Sequence, residues 1–142
     1  MRDLMSDIHV LPALAPAAAA ITDNTAQVGA VIDRLGYDSV TFAIVTGTLA
    51  DADATFAVTV EHGDVANLSD AAAVPAASLV GTTALAGFTF ADDAETRKIG
   101  YVGEKRYVRL TITPSSNTGN APMAAIAILG HPAQAPTPNP PV

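Results

Sequence analysis

The sequence predicts an all-β protein, an antiparallel β-sandwich or jelly-roll-like domain. Apolar residues recur at every second position from about residue 28 onward, which is the spacing of strands with one buried face. Turn-forming residues separate these runs, and several short strands at such intervals are typical of sandwiches. The 142 residues, 49% of them hydrophobic, suffice for one domain with a single core. General disorder is therefore excluded.

The clearest alternating runs each place a set of apolar residues on one side of a strand. These sets are Val40, Phe42 and Ile44; Phe56, Val58 and Val60; Phe88 and Phe90; and Val108, Leu110 and Ile112. A further run, 124–129, is apolar at every position, which is typical of a strand covered on both faces. The stretch 68–79 predicts a loop with one helical turn, because Pro75 lacks the N–H that a longer helix needs.

The two ends of the chain differ from its centre. Pro12 and Pro16 disfavour a helix across the alanine-rich start, so residues 1–20 are predicted to form an extended arm that reaches a neighbour or frames a sheet edge. Residues 132–142 are proline-rich and uncharged, which predicts an extended tail. The sandwich is then assigned to residues 21–131. The candidate contact residues of the arms are Ile8, Val10, Leu11, Leu14, Pro136 and Pro138.

Charge is unevenly distributed along the chain. It carries 14 acidic and 7 basic residues, a net charge of -7, and most of the bases follow residue 96. Such asymmetry fits either docking between complementary surfaces or neutralisation between neighbouring strands of one fold. A negative chain without an apolar run of membrane-spanning length predicts no nucleic-acid and no membrane partner. The candidate docking face consists of Arg97, Lys98, Lys105, Arg106 and Arg109.

Candidate chemical sites are sparse. Cysteine is absent, and the three histidines, His9, His62 and His131, are not paired at ligand spacing. The sequence has no nucleophile-elbow and no phosphate-binding glycine motif. We therefore expect no enzyme activity and no cofactor. Acidic turns leave open a weak calcium site beside the more ordinary solvated turn. The residues concerned are Asp51, Asp53, Asp92 and Asp93.

Small side chains dominate the apolar content. Aromatic residues make up 5% of the chain, tryptophan is absent, and the mean hydropathy is nevertheless +0.32. Each apolar residue therefore buries little area, and an isolated monomer would have a thin core. This combination favours a homo-oligomer or a subunit bound to a larger lattice.

Four stretches resemble a family of small tailed-bacteriophage and prophage proteins. They are 31–42 (VIDRLGYDSVTF), 47–63 (GTLADADATFAVTVEHG), 98–113 (KIGYVGEKRYVRLTIT) and 127–132 (AILGHP). The resemblance covers about residues 20–132 and implies a virion structural protein, a decoration or cement protein on the outer surface of the capsid. It implies the major capsid protein as partner, a homo-oligomer with a trimer favoured, and synthesis in the bacterial cytoplasm. It assigns no catalytic or binding residue.

Two other functions stay as alternatives. A head-tail connector or tail-tube subunit would form rings in the same particle. A glycan-binding β-sandwich would hold the particle near host glycans, although sugar platforms generally use exposed aromatic faces and the candidate tyrosines are few. They are Tyr37, Tyr101 and Tyr107.

Overall fold

The strands are mostly short, and only a few extend along the whole molecule. The computed structural model describes residues 3–141. In chain order its elements are β1 (Ile8–Leu14), β2 (Gln27–Val28), β3 (Ile32–Asp33), β4 (Tyr37–Thr46), β5 (Thr55–Gly63), β6 (Ala72–Ala73), β7 (Leu79–Val80), α1 (Thr83–Ala86), β8 (Phe88–Thr89), β9 (Thr96–Tyr101), β10 (Tyr107–Ser115) and β11 (Met123–Pro132). Single 3-10 turns occupy Met5–Asp7 and Ala76–Ser78. Across residues 3–141 no helix has the length and apolar character needed to cross a membrane.

Two antiparallel sheets form the fold. The five-stranded sheet has the order β1-β11-β4-β9-β7. The six-stranded sheet has the order β2-β10-β5-β6, with β3 also paired to β10 and β8 paired to β5. The two-residue strands lie at the margins and the long strands β4, β5, β10 and β11 at the centres. This arrangement confirms the predicted all-β class and the β-sandwich.

The core lies between the inner faces of the two sheets. The alternation that predicted β4, β5 and β10 is the alternation of buried and exposed positions in those strands, because successive side chains of a strand point to opposite faces. The buried side chains supplied by the four long strands are Val40, Phe42 and Ile44; Phe56, Val58 and Val60; Val108, Leu110 and Ile112; and Ala125, Ala127 and Leu129.

The first strand corrects the predicted domain boundary. Residues 8–12 and Leu14 pair with β11, with a register shift between Pro12 and Leu14, and the side chains of His9 and Ala13 are buried. Pro12 is tolerated because β1 is an edge strand, where a missing N–H removes no ladder bond. Residues 8–14 are therefore part of the sandwich and not of an arm outside it. Their strand frames the sheet edge, while residues 1 and 2 lie outside the described part of the chain.

The C-terminal segment returns to the start of the chain. The N–H of Thr137 donates to the Ser6 carbonyl at 3.0 Å, and its hydroxyl donates to the Ile8 carbonyl. The N–H of Ala133 donates to the Gly36 carbonyl at 2.8 Å. Both ends of the described chain thus meet at one end of the sandwich. Residue 142 of the predicted tail lies outside the described residues.

Two strand predictions need correction. Phe88 is buried and stacks on Phe56 with ring centroids 4.8 Å apart, whereas Phe90 is exposed. The reason is that β8 ends at Thr89, where the Asp92 carboxylate accepts the Thr89 N–H at 2.7 Å and closes a turn. The run 124–129 does form a strand, but within the single chain only one of its faces is covered.

Candidate functional site

The five basic residues predicted to form one docking face do not lie together. Arg97 and Lys98 are consecutive in β9 and therefore point to opposite sides of the five-stranded sheet. Arg109 lies in β10 of the other sheet, and Lys105 and Arg106 lie in the loop before it. The prediction of a single basic face is wrong, because strand alternation separates residues that are close in sequence.

Four of these five basic residues form ion pairs within the chain. This agrees with the alternative prediction, in which the charges of one fold neutralise each other. Arg109 and Glu61 are direct cross-strand partners, with Nη2 and Oε2 2.7 Å apart. The hydrogen bond from Arg106 holds the pKa of Asp33 below its usual value. Within residues 3–141, Lys98 makes no ion pair. The remaining pairs are Arg106 with Asp33, Lys105 with Asp64, and Arg97 with Asp92 and Glu95.

A buried tyrosine links the two sheets, and no pattern in the sequence predicted this contact. The Tyr101 hydroxyl lies 2.9 Å from Nδ1 of His62 and accepts the Lys105 N–H at 3.0 Å. The Arg34 guanidinium lies over the Tyr101 ring, 5.5 Å from its centroid. Burial raises the pKa of Tyr101, and desolvation followed by the charge of Lys105 lowers the pKa of His62. A neutral His62 that accepts a hydrogen bond from the Tyr101 hydroxyl leaves Tyr101, His62 and the Lys105 N–H each with a partner. The cluster therefore fixes the loop between β9 and β10.

The acidic turns use their carboxylates to fix loops. Asp51 accepts hydrogen bonds from the N–H and the hydroxyl of Thr118, both at 2.7 Å, and these bonds lower its pKa. Asp92 accepts the Thr89 N–H, and Asp93 accepts one backbone N–H at 2.7 Å. In the part of the chain that the structure describes, no group of three or more His, Asp or Glu side chains could hold a metal ion. The bond to Asp92 closes a local turn, whereas the bonds to Asp51 and Asp93 join loops that are distant in sequence.

The outer side of the five-stranded sheet is apolar. Ile126 in β11 is 44% exposed and Val45 in β4 is 50% exposed, although both belong to central strands. Lys98 supplies a charge to this side. We call the following outward strand positions the apolar face: Ile8, Val10 and Pro12 of β1; Ala124, Ile126 and Ile128 of β11; Thr41, Ala43 and Val45 of β4; and Lys98 and Gly100 of β9.

The outer side of the six-stranded sheet has a different composition. Threonine and an ion pair dominate it, as is usual for a sheet with one solvated face. The apolar face is therefore not a general property of this alanine-rich chain. The outward positions of the two central strands are Thr55, Ala57, Thr59 and Glu61 of β5 and Tyr107, Arg109, Thr111, Thr113 and Ser115 of β10.

The apolar face is not flat. Large side chains stand along its β1 and β11 half, and we call these the ridge. On the other half an open groove of ≈ 650 Å³ runs over β4, β9 and β7. Small residues such as Ser39, Thr41 and Gly100 line the groove, and exposed Val80, Leu85 and Val102 border it. The ridge consists of Val10, Pro12, Ile126 and Ile128.

A second uncovered apolar surface lies where the chain ends meet, and we call it the terminal end. It presents Leu4, 70% exposed, together with Met5 and Leu35, and the exposed tail prolines Pro136 and Pro138. The hydrogen bonds of Thr137 and Ala133 bring these segments to the same end of the sandwich.

The predicted contact residues of the arm divide between two environments. Ile8 and Val10 belong to the apolar face, whereas Leu11 and Leu14 are partly buried against the core. The last two therefore stabilise the fold, because their cross-strand partners in β11, Ala127 and Ala125, face inward.

The three tyrosines provide little support for a sugar-binding platform. Tyr101 is fully buried. Tyr37 stacks on His9 with centroids 5.7 Å apart, and the Tyr107 ring lies under the Arg106 guanidinium at 5.0 Å. Each ring already has a partner within the chain.

Comparison with known proteins gives little information on function. No family model matches the chain, and neither does any curated protein. Among solved structures, the chain is similar to the CBM22-1-GH10 modules of the N-terminal endo-1,4-β-D-xylanase 10B of Clostridium thermocellum complexed with xylohexaose, with 10% sequence identity and a TM-score of 0.44. The match covers 96% of this chain but 29% of that chain.

Proposed function

We propose that the protein is a non-enzymatic structural protein of a tailed-bacteriophage virion, a decoration or cement protein that binds the outside of the major capsid lattice and stabilises it. The resemblance across residues 20–132 supports the virion assignment. The terminal end supports the mode of action, since it exposes large apolar side chains where both chain ends meet. The protein is made in the host cytoplasm and becomes part of the outer surface of the capsid.

A paired strand lies next to these exposed side chains. Leu4 caps the 3-10 turn Met5–Asp7, which leads directly into β1, and β1 is paired with β11, so the two residues lie beside an ordered sheet edge. Fully burying a side chain of this size contributes about 1.5–3 kcal/mol. A contact formed only with the assembled shell stabilises the shell by mass action and requires no chemistry.

Shells assembled from the major capsid protein of the phage or prophage that encodes this chain provide the test. Binding of the wild type should raise the temperature at which the shells dissociate. The double variant Leu4→Ser with Met5→Ser should bind at least about tenfold more weakly, because two apolar contacts are lost. The control Val28→Ser removes an equally exposed apolar side chain from the six-stranded sheet and should leave binding unchanged.

Wild-type protein that does not bind the shells would contradict the proposal.

The number of copies per virion distinguishes a decoration protein from a connector or tail-tube subunit of the same particle. Densitometry of purified virions that shows one ring's worth of this protein would support a connector or tail-tube subunit instead. Cryo-electron microscopy should show density above the shell at threefold or pseudo-threefold positions, and binding on a glycan array would favour the glycan alternative.

A further inference from the structure

We propose that the apolar face binds a second copy of this chain, and that the two copies pack ridge into groove about a two-fold axis. This inference goes beyond the proposed function and concerns a surface other than the terminal end. It depends on four features of the apolar face: its uncovered central strand, its relief, its charge and its size.

The central strand of the face lacks a covering layer. Residues 124–129 are apolar at every position, the pattern of a strand buried on both sides. Within the chain, Ala125 and Ala127 are buried in the core, while Ile126 is 44% exposed on the other side. The sequence of β11 is therefore suited to a sandwich with one more layer than the single chain provides.

The relief of the face is complementary to itself. The ridge occupies its β1 and β11 half and the groove its β4, β9 and β7 half. A rotation of 180° about an axis that lies in the plane of the face, parallel to the strands and near Ala43 between the two halves, places each ridge over the partner's groove. Isologous interfaces of this kind close after two copies. The structure thus favours two copies over the trimer expected from the sequence.

The chain has a net charge of -7, but its acidic residues do not prevent contact between two apolar faces. No acidic side chain is among the strand positions that define the apolar face, so carboxylates of the two copies are not brought together there. Lys98 lies in the lining of the groove. Because Lys98 is the cross-strand partner of Ala43, the axis places it opposite Ile126 of the second copy, where its aliphatic stem can cover apolar surface.

The size of the face sets the expected affinity. Four neighbouring strands at about 4.8 Å spacing and seven residues at about 3.4 Å rise give roughly 500 Å² per copy. This is below the roughly 800 Å² per partner of a standard interface but within the range of functional surface patches. We therefore expect a dissociation constant nearer to micromolar than to nanomolar.

Sedimentation equilibrium of the purified full chain from about 1 to about 200 μM tests the proposal. The wild type should shift from one-copy to two-copy mass within this range. Ile126→Lys, which places a charge on the ridge, should weaken association at least about tenfold. Ala57→Lys makes the same change at an exposed position of a central strand in the other sheet and should leave association unchanged.

Cross-linking gives a second readout that does not depend on a charged variant folding. The chain has no cysteine, so single-cysteine variants can be linked without background. Ala43→Cys lies near the expected axis, and a short bis-maleimide should join two copies of it. Ala57→Cys should stay unlinked.

Three results would overturn the proposal. They are a wild type of one-copy mass throughout the range, a three-copy species, and cross-linking of Ala57→Cys in place of Ala43→Cys. Capsid shells are absent from these measurements, so a negative result here does not affect the shell-binding test of the proposed function.

Discussion

The hydroxyl of Tyr101 occupies a position where a single atom holds two parts of the fold together. Its ring belongs to β9 of the five-stranded sheet, and His62 belongs to β5 of the other sheet. The Lys105 N–H completes the group from the loop that follows β9. A buried polar atom with both partners in place stabilises modestly, but losing it leaves those partners unsatisfied.

Tyr101→Phe should therefore lower the free energy of unfolding by about 1–3 kcal/mol. The ring stays, so packing is preserved, but Nδ1 of His62 loses its donor and the Lys105 N–H loses its acceptor. Chemical denaturation at neutral pH measures the effect. Tyr107→Phe is the matched control, with an expected change within about 0.5 kcal/mol, because this tyrosine lies on the outer side of the six-stranded sheet. Equal effects of the two substitutions would show that the hydroxyl of Tyr101 is not important.

Asn117 illustrates what local sequence cannot show. The cluster 114–120 predicts a turn, and Asn117 does lie after the end of β10. Its buried side-chain amide donates to the carbonyls of Ile21 at 3.3 Å and Asp23 at 3.2 Å, nearly a hundred residues earlier. A turn residue is recognised from its neighbours, whereas a partner so distant in sequence depends on the whole topology.

Among the elements, the long strands were predictable and the edges were not. Strands β4, β5 and β10 have one buried face, so periodicity alone identifies them. Strand β1 buries His9 and Ala13, but its register shifts between Pro12 and Leu14, so its alternation is irregular, and Pro12 suggested an arm. Two-residue strands and the four-residue helix α1 are too short for any periodic signal. The pairing of Arg109 with Glu61 likewise requires the register of β10 and β5.

The surfaces were predictable only in part. An apolar run at 124–129 and a small-residue composition indicated burial beyond the single chain. They did not show which side of β11 is uncovered, because that depends on which residues of β1 and β4 lie beside it. The prediction that the basic residues form one docking face was wrong, since proximity in sequence does not place side chains on one face of a sheet.

Removal of β1 distinguishes a strand from an arm. Deleting residues 1–14 should lower stability by more than about 3 kcal/mol, because it uncovers buried core surface and leaves the edge of β11 unpaired. Deleting residues 1–5 ends before the strand and should leave the melting temperature nearly unchanged. Thermal unfolding followed by circular dichroism measures both. If the longer deletion melts at the wild-type temperature, residues 8–14 are an independent arm after all.

At the scale of the whole molecule, apolar side chains are divided between the inside and the outside. The inner positions of β11 include two alanines, whereas its outer positions include Ile126 and Ile128. The strand thus places large apolar residues on both sides, with Met123 and Leu129 buried in the core and Ile126 44% exposed. Under the two proposals above, association completes this burial, through the apolar face with another copy and through the terminal end with a lattice.

Acid should destabilise the whole fold through its carboxylates. Where folding lowers the pKa of a carboxyl group, the unfolded chain binds a proton at a higher pH than the folded chain does. The stability that such a group contributes is therefore complete above the ordinary pKa of 3.8, and it is lost as the pH falls through the folded pKa. The lowered pKa of His62 adds an earlier loss that begins as the pH falls toward 6.5. The carboxyl groups with lowered pKa values, each with the partner that causes most of the lowering, are Asp3 with the Ser6 N–H, Asp23 with the Thr25 N–H, Asp33 with Arg106, Asp51 with Thr118, Asp70 with the Asp64 N–H, and Asp92 with the Thr89 N–H.

Asp51→Asn isolates one of these contributions. At neutral pH the variant should be less stable than the wild type, because the carboxylate that accepts both hydrogen bonds of Thr118 is replaced by a neutral amide. The difference should shrink as the pH falls below 3.8, since the carboxylate of the unfolded chain is protonated first and that of the folded chain follows at its lower pKa. Denaturant unfolding at a series of pH values measures the difference, with Asp53→Asn as a control in the same turn. A gap between Asp51→Asn and the wild type that stays constant with pH would show that the charge of Asp51 does not stabilise the loop.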